Sequence, residues 1–234
     1  MLEPVMRTSR QLTAQRGLSM VELLVGVAIG LFIAATGTTL LASNLREGRA
    51  LLVETRLMQD LRTAADVIAR DLRRAGYWGS AADGVWGSGT SSVQSNPYAA
   101  VAPNTAASDA VSFRYSRDAT ENNSIDSNEQ FGFRLRKGVI ELQLGAGNWQ
   151  ALTDSGTLTV TSFSVTPTVQ DVSLAATCTL PCPPGSSATC PPRQEIRSLD
   201  VSISARAAND PAVTRSVRSN VRVRNDPLVG ACPV

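Results

Sequence analysis

The chain has 234 residues, with 22 Lys and Arg against 20 Asp and Glu for a net charge of +2, four cysteines and no histidine. The absence of histidine excludes the usual general base and the triads built on it, and the near-neutral balance argues against a nucleic-acid partner. No phosphate loop, Gly-x-Ser-x-Gly elbow or dinucleotide fingerprint is present, so a non-enzyme without a cofactor is expected.

The first residues carry Arg7, Arg10 and Arg16 and lead to Gly17. An apolar segment starts directly at Leu18, with Glu22 inside it, and no charge follows from Leu23 to Leu45. About 20 apolar residues cross a bilayer. Arginines before the span keep the N-terminus cytoplasmic and export the rest. A carboxylate in such a span costs roughly 2.5–3.5 kcal/mol on insertion scales, which marks Glu22 as functional. A Sec-type signal has a shorter apolar core of about 7–15 residues. A plain single-span anchor fits the length but leaves Glu22 without a role. Gly26 and Gly30 have the small-xxx-small spacing that lets two helices approach closely in lipid.

The stretch Arg16-Gly17-Leu18-Ser19-Met20-Val21-Glu22, followed by the uncharged run, resembles the class III signal of type IV prepilins. That resemblance implies a leader over residues 1–17, cut between Gly17 and Leu18 by the prepilin peptidase. It also implies N-methylation of Leu18 and a subunit-assembly role for Glu22. The family more often has Phe where this chain has Leu18. A glycine-weakened helix that loosens on entering a filament is a further implication.

The helical period continues beyond the span through Leu57, Leu61, Ala64, Ala65, Ile68, Leu72 and Ala75, an amphipathic stripe. Charges fill its other faces, with Asp66 and Arg70 as an i,i+4 pair, and Gly76 is a natural C-cap. One long helix is expected over 18–76, its transmembrane half at about 18–45. The residues Asp71–Gly79, D-L-R-R-A-G-Y-W-G, are similar to the end of the long helix in PilW-type minor pilins. Tyr77, Trp78 and Trp86 are expected to seal the junction with the exported β domain at 77–234.

Residues 77–110, rich in Gly, Ser, Ala and Asn, read as an irregular loop. Alternating segments follow at 110–116, 130–136, 139–144, 157–167, 197–206 and 213–224, with Lys137-Gly138 as a tight hairpin. The fold class is therefore α+β, a long N-terminal helix packed against an antiparallel sheet, and the closing Val-Arg-Val-Arg-Asn also resembles the last strand of the PilW group. The acidic, amide-rich segment 118–129 reads as a solvated turn. Its spacing does not match an EF-hand calcium loop.

Cys178, Cys182, Cys190 and Cys232 all lie in the exported part, where disulfides form. Three pairings are open. Joining Cys232 to one member of the Cys178–Cys190 loop makes most mechanical sense, tying down the C-terminal tail. Their intervals match no common zinc module. The family resemblance implies a minor type IV pilin of the PilW type that initiates or caps the pilus, serving twitching motility, adhesion or DNA uptake. The implied partners are the prepilin peptidase, other minor and major pilins through the N-terminal helix, the inner membrane and a large tip adhesin. The alternatives are a minor pseudopilin of a type II secretion system and a monomeric membrane-anchored binding domain.

Overall fold

The computed structural model describes Gly17 and residues 19–85, 94–186 and 189–233. Residues 1–16 of the expected leader, Leu18 and Trp86 lie outside the described residues. The chain divides into two compact units, residues 1–49 and 50–234.

From Met20 onward the first unit belongs to α1 (Met20–Leu72). Its apolar side chains are exposed: Met20, Leu24, Leu31, Phe32 and Leu40 all lie open. The hydroxyls of Thr36, Thr38, Thr39 and Ser43 are satisfied by the helix itself. Thr36 Oγ1 donates to the Ile33 carbonyl at 2.9 Å, Thr39 Oγ1 to Thr36 at 2.8 Å and Ser43 Oγ to Leu40 at 2.9 Å. Such back-bonding gives each of these hydroxyls a partner without water.

In the second unit the remaining turns of α1 bury Leu57, Leu61, Ala65, Ile68 and Leu72, the stripe that steps by three and four. The stripe meets two antiparallel sheets. The first is a meander of β1 (Val101–Ala102), β2 (Ala110–Arg114), β3 (Gln130–Arg136), β4 (Val139–Leu144) and β5 (Trp149–Ala151). The second runs β6 (Leu158–Ser173), β7 (Arg193–Ala207) and β8 (Thr214–Arg222), with β9 (Leu228–Val229) paired to one end of β7. Phe113, Phe133 and Ile140 from the first sheet and Phe163, Val165, Leu199 and Ile203 from the second close over the helix in one core.

Local chemistry explains the joints. Lys137 (φ 50°) and Gly138 (φ 78°) both adopt the left-handed region between paired Arg136 and Val139, the conformation of a two-residue turn matched to strand twist. Buried residues alternate through Leu158 and Val160, then shift by one to Phe163 and Val165, because a bulge falls between Val160 and Ser162. The extra residue, Thr161, donates its hydroxyl to the Ser204 carbonyl at 3.1 Å.

The architecture is α+β and antiparallel, with the sheet divided in two. Three strands of two or three residues escaped the sequence reading because so few positions carry no measurable period. One of them, β1, lies in the stretch read as an irregular loop. The ion pair expected between Asp66 and Arg70 is replaced by Arg70 with Asp71 at 3.7 Å.

Candidate assembly site

Glu22 lies in the first turn of α1, and the helix around it is exposed. An acid suits a helix N-terminus, whose unpaired N–H groups carry partial positive charge. Gly17 is exposed and precedes the helix. Among the described residues nothing lies within 4 Å of a Cβ built on Gly26, Gly30, Gly37 or Gly48. No contact among the described residues requires glycine there. The surface around them is aliphatic, and no part of the most apolar window is buried. This helix has the length and composition to cross a membrane, and its apolar surface is available to lipid or to other helices.

The other end of α1 is held by the loops and strands of the second unit. Gly76 takes φ +75°, donates its N–H to the Arg114 carbonyl at 2.8 Å, and leaves only 3.2 Å between a Cβ and the Asn225 carbonyl. Asn225 Nδ2 donates to the Ala75 carbonyl at 3.0 Å, satisfying a backbone acceptor just past the end of α1. The arginines of D-L-R-R-A-G-Y have distinct roles. The Arg74 guanidinium stacks 4.2 Å over the Tyr115 ring, and the Arg73 carbonyl accepts from Arg224 N–H at 3.3 Å. Arg215 on β8 pairs with Glu54 on α1.

The aromatic seal differs from the expectation in one residue. Trp78 is buried and donates Nε1–H to Asn123 Oδ1 at 2.7 Å, whereas Tyr77 is about half exposed. The residue that completes the seal is Tyr98, which is fully buried and donates its hydroxyl to Glu121 Oε1 at 3.0 Å and to the Ser124 carbonyl at 2.9 Å. Burial, then the hydrogen bond to Glu121, push the Tyr98 phenol far above its ordinary pKa.

Glu121 sits in the segment read as a solvated turn, and the structure gives this segment a different job. Its carboxylate accepts from the backbone N–H groups of Gly79 and Asn123, both at 2.9 Å. Burial pushes its pKa up, but the hydrogen bonds from Ser116, Gly79, Asn123 and Tyr98 outweigh burial and leave it lowered. Glu129, fully buried, accepts from Arg117 N–H at 2.7 Å and from Asp126 N–H at 2.9 Å, the second bond closing a capping box. These carboxylates are spent on backbone donors rather than gathered around a cation site, and among the described residues no acidic or cysteine group is placed to hold a metal. A Glu three residues after Asp126 was the available signal for the capping box. Nothing in the sequence pointed from Glu121 to Gly79.

The cysteines form two disulfides, Cys178–Cys232 with Cα atoms 5.2 Å apart and Cys182–Cys190 at 5.6 Å. The first ties the C-terminal tail to the segment following β6. The second closes a small ring within the proline-rich excursion.

A family model described as PpdB, prepilin peptidase-dependent protein B, matches residues 50–223. No curated protein and no solved structure matches the chain.

Proposed function

Because this chain belongs to the prepilin peptidase-dependent protein B family, a type IV pilin-related group, we propose that it is a minor type IV pilin of the PilW type that initiates or caps pilus assembly. The matched segment, 50–223, excludes the leader and the apolar helix. The prepilin-like Gly17–Leu18–Glu22 pattern is therefore a separate support, drawn from residues outside the match. The observation that carries the reading is the pairing of this pattern with a helix whose apolar surface and glycines have no partner among the described residues.

In this reading the prepilin peptidase cuts between Gly17 and Leu18 and methylates Leu18. The apolar helix then holds the subunit in the inner membrane, N-terminus cytoplasmic and β domain periplasmic. On assembly it leaves the bilayer to pack against other minor and major pilins, with a large tip adhesin as a further partner. Catalysis has no place in it.

The test is the mature N-terminus together with a gene deletion. N-methyl-leucine from Leu18, with loss of surface piliation and twitching but normal exoprotein secretion, is the expected result. An intact Met1 or a start near Ser43 would remove the prepilin reading. A secretion defect with normal piliation would assign the chain to a type II secretion pseudopilus, and no defect in either would favour a lone anchored domain.

A further inference from the structure

The second sheet turns Phe163, Val165, Leu199, Val201, Ile203 and Val221 to the core. Successive side chains on a strand point to opposite faces, so the other parity of β6, β7 and β8 faces outward. Register sorts these residues into rows across the strands: Thr166–Asp200–Asn220, Ser164–Ser202–Arg218 and Ser162–Ser204–Ser216. Arg206, opposite Thr214, and Arg222, opposite Ser198, bound the rows. No aliphatic or aromatic side chain stands among them. Short hydroxyls leave the sheet surface flat and open between the arginines.

The charges on this face are unequally engaged. Asp200, the only acid of the rows, accepts from Asn220 Nδ2 at 2.7 Å, and Arg222 pairs with Asp226 at 2.8 Å. Arg206 and Arg218 are exposed, and among the described residues neither has a hydrogen-bond or ion-pair partner. Arg206 stands at the register position of Thr214, so the three arginines recur at steps of four residues along β8. At about 3.4 Å per residue, those steps are about 14 Å.

We propose that this face binds an anionic polysaccharide, a linear glycan bearing carboxylates at intervals. Guanidinium groups engage carboxylates through paired N–H donors, and the hydroxyls between them both donate and accept, matching the hydroxyls of sugar rings. A protein partner would use aromatic or aliphatic anchors at the centre of its interface, and the rows contain none. Single-stranded nucleic acid stacks on aromatic rings, also lacking here. Duplex DNA binds through many phosphate contacts, whereas the face offers two free guanidinium groups. The acids at this face, Asp200 and Asp226, are engaged by Asn220 and Arg222, which leaves positive charge unanswered at Arg206 and Arg218.

The test is titration of the full-length protein, in detergent micelles, with alginate, neutral dextran and duplex DNA. The wild type should bind alginate and ignore dextran. Arg206→Gln with Arg218→Gln should weaken alginate binding about tenfold or more. Ser202→Asp, which sets a carboxylate beside Arg218, should weaken it comparably. Both variants should keep the wild-type melting temperature, because these side chains face away from the core. Absence of alginate binding, binding unchanged by the variants, or duplex DNA binding as tight as alginate would each overturn the proposal.

Discussion

Tyr98 and Glu121, 23 residues apart in sequence, meet in a 3.0 Å hydrogen bond that joins two loops beside the end of α1. The same carboxylate receives the N–H of Gly79, so one side chain secures the segment where the chain leaves the helix. Tyr98 has no solvent exposure, and its hydroxyl turns to water nowhere else.

Replacing Glu121 with alanine removes the acceptor of two exposed backbone N–H groups and one of the two acceptors of the buried Tyr98 hydroxyl. A hydrogen bond to a charged group contributes about 1.5–3 kcal/mol, so Glu121→Ala should lower the melting temperature by several degrees, roughly 2–4 °C per kcal/mol for a domain of this size. Glu121→Gln, which keeps one acceptor oxygen, should lose less. Thermal unfolding followed by circular dichroism separates the two, and equal melting of wild type and Glu121→Ala would remove the assigned role.

The same loop makes stability depend on acid in two opposed ways. Glu121 has a lowered pKa in the fold, so its stabilisation is complete above its unfolded value and is lost as pH falls through the folded value. Asp118 is raised, by burial and then by Glu129, Asp126 and Glu121, so keeping it charged opposes folding at neutral pH. That opposition disappears as pH falls through its raised value. Asp118→Asn should therefore raise the melting temperature at neutral pH and lose the advantage in acid. A variant less stable than wild type at neutral pH contradicts this sign.

The two disulfides differ in the loop they close. Cys178–Cys232 spans 54 residues and Cys182–Cys190 spans 8. In the chain-entropy model the larger loop contributes about 4 kcal/mol and the smaller about 2.5 kcal/mol. Replacing Cys178 and Cys232 with serine should destabilise the β domain more than replacing Cys182 and Cys190. Parallel denaturant titrations of the two double variants decide the order, and the reverse order would show that the tail is held by other contacts.

Glu22 is expected to act only in assembly. In an apolar filament interior its attraction to the α-amino group of a neighbouring subunit's Leu18 is weakly screened, and it would set the axial register of the incoming subunit. Glu22→Ala should leave cleavage and membrane insertion intact and reduce the amount recovered in sheared pili. Recovery at the wild-type level would exclude this role.

The elements visible in the sequence are those whose signal is local and repeated. The stripe from Leu57 to Leu72, the alternation in β3 and the Lys137-Gly138 turn each follow from spacing within a dozen residues. The three short strands, Trp149–Ala151 among them, have too few positions to show a period. The 118–129 segment was read by composition, which describes how a loop meets water and says nothing of the N–H groups its acids reach.

By itself the sequence determined a membrane-length apolar helix carrying one carboxylate, an amphipathic continuation and an antiparallel β domain. These rest on covalent geometry and hydrophobic periodicity, which act over a few residues. The tertiary structure decided what those elements meet. It paired Cys178 with Cys232 out of three possible connectivities, set Arg74 over Tyr115, divided the strands into two sheets and brought Glu121 to Gly79. Each of these joins residues distant in the chain, and only the packing of one shared core brings such groups within bonding distance.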